Sequence, residues 1–160
     1  MLNRIFFGLA LVLTLLIAGQ GARADSGEMR PHAAPAPENP DYTAGKRAID
    51  AKDWQAAIDA LSKVVAKEPQ NADAYNFLGY AYRSSGQLDL ALKNYEEALR
   101  IEPNHRFAHE YIGETYLLAN NLAKAEEHLK ALDSICFFGC EQYDDLKKAV
   151  ADYRQKAASK

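Results

Sequence analysis

The two cysteines of this 160-residue chain, Cys136 and Cys140, enclose three residues in the sequence CFFGC. Two thiols at this spacing can form a disulfide, exchange electrons with another thiol pair, or bind a soft metal such as Cu(I). A disulfide between residues four apart distorts a regular helix, because the two Cβ atoms diverge. Gly139 allows the backbone to turn. The sequence therefore predicts a disulfide that ends a helix, with a copper or thiol-exchange carrier as the alternative.

The histidines offer weaker chemistry. His105 and His109 are four residues apart, a spacing that can place two imidazoles on one metal ion. His105 is expected in the turn before a helix, however, and no third ligand is recognisable nearby. His128 stands in the segment AEEHLK, which is typical of a solvated helix face, so we expect it to face solvent. No nucleophile-and-base pair or phosphate-binding glycine loop is recognisable. The sequence thus predicts no catalytic residue, no metal site and no cofactor.

The first 24 residues have the composition of a secretory signal peptide. Arg4 precedes an apolar run from about Ile5 to Ala18, and small residues end the segment at Ala24. The run is shorter than the roughly 20 residues of a membrane span, which argues against an uncleaved anchor. We therefore expect export with cleavage after Ala24, into the periplasm of a bacterial envelope. An oxidising compartment of this kind favours the predicted disulfide.

The segment that follows, residues 25–40, contains four prolines and little that is apolar and larger than alanine, which predicts an extended tether. Residues 41–160 are long enough for one domain with its own core. Loss of Arg4 and Arg23 with the signal peptide would leave 17 basic against 22 acidic residues. This acidic balance excludes a typical nucleic-acid or anionic-membrane surface.

Small residues and prolines recur every 34 residues and divide the chain into three units, 38–71, 72–105 and 106–139. Apolar spacing predicts two amphipathic helices in each unit. The recurring glycines and alanines should let the two helices of a unit approach closely, and the prolines should end the second helix. The series are Gly45, Gly79 and Gly113; Ala57, Ala91 and Ala125; Pro69 and Pro103, with Phe137 in the third place.

The turns inside the units differ. Gly86 and Asn120 suit a left-handed residue, whereas Lys52 predicts a right-handed turn in the first unit. At the end of the third unit the CFFGC segment replaces the proline. We therefore expect the disulfide to end that helix, and Phe137 and Phe138 to anchor the bend against the last repeat.

The second unit carries most of a family pattern, and the first and third units follow it more loosely. The chain resembles the tetratricopeptide repeat (TPR) family on these residues. The resemblance implies an all-α fold, a right-handed superhelix of three helix-turn-helix repeats. Residues of about 141–157 resemble the helix that caps such arrays with a polar outer face. The matching residues of the second unit are Leu78, Gly79, Tyr82, Ala91, Tyr95, Ala98 and Pro103.

The resemblance also implies a function, because TPR proteins are rarely enzymes and usually bind a peptide or a protein in a concave groove. It predicts a non-enzymatic adaptor or assembly factor, a monomer or weak homo-oligomer. Asn76 would hold a peptide backbone, and Lys46 with Arg83 would face an acidic group of the ligand. The predicted partner-binding residues are Tyr42, Lys46, Asn76, Tyr80, Arg83, Glu110 and Glu114.

One specialised binding mode is not expected. Some TPR domains grip the C-terminal carboxylate of chaperones with lysine, asparagine and arginine at five fixed groove positions. None of those positions matches here. They hold Tyr42, Lys46, Phe77, Phe107 and Tyr111.

Overall fold

The structure is a computed structural model that describes residues 39–159. The predicted signal peptide and residues 25–38 of the predicted tether lie outside these residues. The described part consists of seven helices joined by short turns, which confirms the all-α prediction. The helices are α1 (Pro40–Asp50), α2 (Trp54–Lys67), α3 (Ala72–Ser84), α4 (Leu88–Ile101), α5 (Arg106–Leu118), α6 (Leu122–Ile135) and α7 (Glu141–Ala158).

Five of the seven described helices, all but α4 and α7, begin at a polar side chain that accepts a hydrogen bond from an otherwise unpaired N–H group of the first turn. The Asn39 side chain caps α1, so the helical domain begins at Pro40, one residue before the predicted boundary. Asp53 and Asn71 cap α2 and α3 in the same manner. At α5 the capping atom is Nδ1 of His105, 3.2 Å from the N–H of Ala108. His105 therefore lies just before its helix, as predicted.

The helix ends follow the predicted period. Helices α2 and α4 end at Lys67 and Ile101, two residues before Pro69 and Pro103. Helix α6 ends at Ile135, the same repeat position, although no proline follows. The second helix of the third unit therefore ends at the same repeat position without a proline after it.

A disulfide between Cys136 and Cys140 ends this helix in place of the proline, with the two Cα atoms 5.6 Å apart. Cys136 is the C-cap residue of α6, and Cys140 is the N-cap residue of α7. Gly139 between them has a φ of 87°. The predicted bridge is thus present where the repeat lacks proline. The expectation for the aromatic residues was wrong, because the closed loop turns both of them outward: Phe137 is 85% exposed and Phe138 is 96% exposed.

The turns inside the units are all left-handed. Gly86 has a φ of 82° and Asn120 a φ of 57°, as predicted. Lys52 has a φ of 56°, so the right-handed turn predicted for the first unit is wrong. The reason lies in the hydrogen bonding, because the N–H of Lys52 bonds to the carbonyl of Ile49 and that of Asp53 to the carbonyl of Ala48. Closing the helix in this manner requires a left-handed residue whatever its side chain.

The buried side chains form three clusters, and each cluster joins the second helix of one unit to the helix that follows it in the chain. Residues of α2 and α3 form the first, residues of α4 and α5 the second, and residues of α6 and α7 the third. No cluster in residues 39–159 belongs to one repeat alone, so each unit depends on its neighbour for its core. The largest fully buried side chains are Tyr95, Leu61, Ile112, Leu132, Leu146, Val64 and Thr115.

Two glycines show how closely the helices approach. A Cβ on Gly79 would lie 2.7 Å from Cδ1 of Tyr95, which brings α3 and α4 together as the sequence predicts. In the third unit α5 and α6 also pack together, but the side chain nearest to the glycine comes from another helix. A Cβ on Gly113 would lie 2.6 Å from Cδ2 of Leu146, which belongs to α7 and not to α6. The terminal helix therefore packs on the first helix of the last unit and completes its core.

None of the helices in residues 39–159 has both the length and the apolar character that a membrane span requires.

Candidate partner-binding groove

A cleft of about 330 Å³ lies where α1, α3 and α5 present side chains to the same side of the array. Every lining residue comes from the first helix of a unit, as expected for the concave groove. Three of the predicted partner-binding residues line this cleft. The lining residues are Tyr42, Lys46, Asp73, Asn76, Phe77, Phe107 and Tyr111.

Asn76 supplies the unsatisfied polar group of the cleft. Its side chain is 3% exposed, and its Oδ1 atom has no hydrogen-bond partner among the described residues. A buried amide oxygen without a donor costs about 1–3 kcal/mol. Because this oxygen has almost no accessible surface, a ligand N–H would reach it and recover that energy only after neighbouring cleft side chains move aside. Asn76 thus lies in the cleft lining, and its role in holding a peptide backbone stays a prediction.

The cleft walls are aromatic. The rings of Tyr42 and Phe77 meet edge to face with centroids 5.9 Å apart, and those of Phe107 and Tyr111 are also 5.9 Å apart. The Nζ atom of Lys46 lies 5.4 Å from the centroid of the Tyr42 ring, which places a cation at the rim. Phe107 remains 47% exposed. The walls are therefore suited to an apolar side chain beside a polar backbone.

Arg83 is engaged within the protein. Its guanidinium carbon lies 5.2 Å from the ring centroid of Tyr80 and 5.1 Å from that of Tyr111, and a terminal nitrogen donates to the Glu114 carboxylate. The sequence predicted that Arg83 faces an acidic group of the ligand; in this structure Glu114 pairs with it, and the contact with a ligand stays a prediction. Tyr80, Arg83 and Glu114 are brought together, but as a connected layer next to the cleft.

Tyr111 joins the two parts of the groove. It lines the cleft, and its ring lies 5.3 Å from that of Tyr80 and 6.1 Å from that of Tyr95 between centroids. Burial raises the pKa of its phenol to about 12, with the Glu110 carboxylate adding to the rise, so the hydroxyl stays protonated. Phe77 and Tyr111 were not predicted to line the groove, whereas Phe107 falls on a groove position of the repeat. The three aromatic residues at these positions were the available signal in the sequence.

Glu110 lies below the groove surface. Its side chain is 7% exposed, and burial raises the pKa of its carboxyl to about 7, with repulsion from Glu114 and Asp145 adding to the effect. At neutral pH, both protonation states are therefore populated. Glu110 was predicted to face the partner; unlike Asn76 it does not line the cleft, and its role in binding stays a prediction.

His109 and His128 are not part of the cleft lining. Nδ1 of His109 is 3.0 Å from Nδ1 of His128, and Nε2 of His109 is 2.9 Å from the carbonyl oxygen of Pro103. The network assigns the His109 proton to Nε2, which donates to that carbonyl, so Nδ1 accepts a hydrogen bond from His128. The prediction that His128 faces solvent was wrong, because its ring stacks on Tyr116 with centroids 5.8 Å apart. Burial lowers the pKa of His109, and lowers that of His128 to about 4.

No set of three or more His, Cys, Asp or Glu side chains within residues 39–159 is placed to hold a metal ion. A wider depression of about 700 Å³ lies beside the connection between α2 and α3 and shares Asp73 with the cleft. Its lining is mixed polar and apolar, and it contains none of the predicted partner-binding residues.

Comparison with known protein families gives matches to two models described as tetratricopeptide repeat, one over residues 42–105 and the other over residues 82–147. Among curated proteins, the chain is similar to the uncharacterized protein ycf37 of Guillardia theta, with 45% identity over 56 residues. That match covers 35% of this chain and 32% of the relative, so the chain spans about a third of its length.

Solved structures share the fold. The TPR2B domain of yeast Sti1, in complex with pHsp70, superimposes with a TM-score of 0.67 at 19% identity, covering 72% of this chain and 94% of that domain. The type III secretion translocator chaperone SycD of Yersinia enterocolitica gives a TM-score of 0.66 at 16% identity, covering 74% of this chain and 83% of SycD. Both identities are low, so the likeness concerns the architecture alone.

Proposed function

Because the chain belongs to the tetratricopeptide repeat family, we propose that its groove binds a peptide or an exposed segment of a partner protein. The observation that carries this proposal is the unpaired Oδ1 of Asn76 at the aromatic cleft. A backbone N–H of the ligand would donate to it, while a neighbouring apolar side chain would enter between the rings. The Sti1 domain, whose structure is a complex with pHsp70, supports this use of the fold.

The size of the cleft limits the ligand. Its volume of about 330 Å³ is at the lower end of the roughly 300–1,000 Å³ of small-ligand sites. It accepts one or two side chains and not a folded surface. Lys46 at the rim favours a ligand with an acidic group close to the apolar one. The expected ligand is therefore a short segment with an apolar anchor and a nearby carboxylate.

The chemistry of the groove supports a non-enzymatic role as an adaptor or assembly factor. Beside Lys46 and Asp73, its lining consists of aromatic rings and an amide, and Arg83 next to it pairs with Glu114. We further propose that this adaptor works in an oxidising compartment such as the bacterial periplasm, which the Cys136–Cys140 disulfide and the signal-like N-terminal sequence support.

A random dodecapeptide library displayed on phage and selected on the immobilised full chain tests the groove. We expect enriched peptides that carry an aromatic residue, and at least tenfold weaker binding of synthetic copies to Asn76→Ala, since losing one buried hydrogen bond of about 1.4 kcal/mol has that effect. Asn94→Ala is the matched control, because Asn94 lies on α4 and its side chain bonds to the Leu90 carbonyl. Peptides that bind both variants equally would contradict the groove assignment.

The intact mass of the protein from its native host, with free thiols alkylated before any reductant is added, tests the compartment. A chain that starts at Asp25 and carries no alkyl group is expected. A full-length chain with two alkylated cysteines would contradict export.

A further inference from the structure

The CFFGC loop exposes the two most accessible large apolar side chains of the described residues, with Phe137 at 85% and Phe138 at 96%. The two rings contact each other edge to face, with centroids 5.0 Å apart. The disulfide and the left-handed Gly139 hold the loop in one shape, so little conformational entropy remains to be lost on docking. Exposed phenylalanines on a preorganised loop are typical of an interaction site.

The cleft described above has the complementary character. Its walls are rings from Tyr42, Phe77, Phe107 and Tyr111, and its volume of about 330 Å³ suits one or two phenylalanine side chains. Aromatic pairs gain energy in edge-to-face and tilted contacts beyond the gain from burial alone. A Phe–Phe pair entering this cleft would extend the ring contacts that already exist in it.

Charge also agrees. The residues flanking the loop are acidic, with Asp133 on one side and Glu141 and Asp144 on the other, and the sequence from Ala131 to Leu146 contains no Lys or Arg. Lys46 places a cation at the rim of the cleft. The Asp73 carboxylate, the acidic group of the cleft lining, lies 3.1 Å from Nε2 of His105 and is hydrogen-bonded within the protein.

A loop of the same molecule does not fill this cleft, because both phenylalanines are exposed in the chain that carries them. We propose that the cleft of one molecule takes the CFFGC loop of a second copy of this chain. The proposal rests on the proposed function, since it names the occupant of the same groove. Loop and cleft are different surfaces, so the contact is head to tail, and each molecule keeps a free loop or a free cleft for the next one.

Sedimentation velocity of the oxidised full chain, over about 1 µM to 1 mM, tests this arrangement. We expect the average mass to rise with concentration beyond that of a dimer. Phe137→Ser with Phe138→Ser should remain monomeric and helical, and so should Phe107→Ser with Tyr111→Ser if the latter retains the circular dichroism of the wild type. Leu90→Ser is the control, because Leu90 is also exposed but lies on α4, away from both surfaces.

Mixing the two defective variants gives the sharpest result. Each keeps one working half of the contact, so an equimolar mixture should form dimers that do not grow further. A monomeric wild type at 1 mM, or assembly that survives the loop variant, would overturn the proposal. Co-sedimentation with phosphatidylcholine vesicles is a further test. If the wild-type monomer sediments with the vesicles and the Phe137→Ser, Phe138→Ser variant does not, the loop binds a lipid surface and the proposal is overturned. Peptide binding by a chain that does not self-associate would overturn this inference and leave the proposed function standing.

Discussion

Leu146 of α7 packs on the backbone of Gly113 in α5, so closely that a Cβ at residue 113 would lie 2.6 Å from its Cδ2 atom. Leu146 is fully buried. We expect Gly113→Ala to destabilise the protein by about 1–2 kcal/mol, because overpacking costs about 1–3 kcal/mol and the better helix propensity of alanine returns part of it. Urea denaturation followed by circular dichroism measures the change.

A double-mutant cycle separates this contact from other effects. In a Leu146→Ala background the added methyl group has space, so Gly113→Ala should cost nothing or stabilise the chain. If the cost is the same in both backgrounds, Leu146 is not the residue that excludes the methyl group.

The His109–His128 pair predicts a loss of stability in acid. The pKa of His128 falls from 6.5 to about 4 on folding, so between these pH values the unfolded chain binds more protons. The stability that this group contributes is therefore fully present above pH 6.5, decreases as the pH falls, and is constant below about pH 4. Because the ring is partly accessible to water, we expect a loss of about 2 kcal/mol. Urea titrations of His128→Gln should lack this slope.

Glu110 acts in the opposite direction. Its pKa rises from 4.5 to about 7 on folding, so the folded chain keeps a proton that the unfolded chain has released. Stability from this group falls as the pH rises from 4.5 to 7. We expect Glu110→Gln to stabilise the protein by roughly 2–3 kcal/mol above pH 7 and to have little effect below pH 4.5. Since both groups titrate in one window, the histidine measurement is cleanest in the Glu110→Gln background.

The disulfide closes a very short loop, and chain entropy gives it about 2 kcal/mol of stabilisation. Replacing Cys136 and Cys140 by serine should lower the free energy of unfolding by that amount and leave the binding of the selected peptides unchanged, because the cleft lies on other helices. Fluorescence-detected denaturation and peptide titration measure the two effects. Complete loss of function in a folded double variant would instead favour the thiol or copper carrier considered from the sequence.

Lys52 is strained by its left-handed backbone, with a φ of 56°. A left-handed conformation costs a residue with a Cβ atom about 1–2 kcal/mol, so Lys52→Gly should raise the free energy of unfolding by about 1 kcal/mol. Asn120→Gly is the matched comparison at the same place in the third unit. It should gain less, because asparagine visits this region more readily. Equal gains would mean that the backbone, not the side chain, sets the cost.

The period in the sequence predicted the helices well, because each unit repeats the same spacing of small residues and the same helix end. Lys52 escaped prediction because the hydrogen bonds of the turn impose its conformation against its own preference. The contact of Gly113 with α7 was not predicted for a different reason. An array has no fourth unit to compare with, so the sequence does not show that α7 contacts α5.

The sequence predicted which residues line the site better than it predicted the contacts between their side chains. The repeat positions identified Asn76 and Lys46, which line the cleft, since those positions follow from the register alone. Pairing within the protein, as between Arg83 and Glu114, depends on distances across units that a repeat pattern does not contain. The outward turn of Phe137 and Phe138 was missed because the shape of a five-residue ring, not apolar character, decides where they point.

Contacts between the helices of the described chain join only elements one or two places apart, so nothing ties α1 to α7 directly. Small rotations at successive junctions can therefore add up along the array without breaking any single core cluster. The chain should therefore bend along its length, and a ligand that contacts α1, α3 and α5 together in the cleft should reduce this bending.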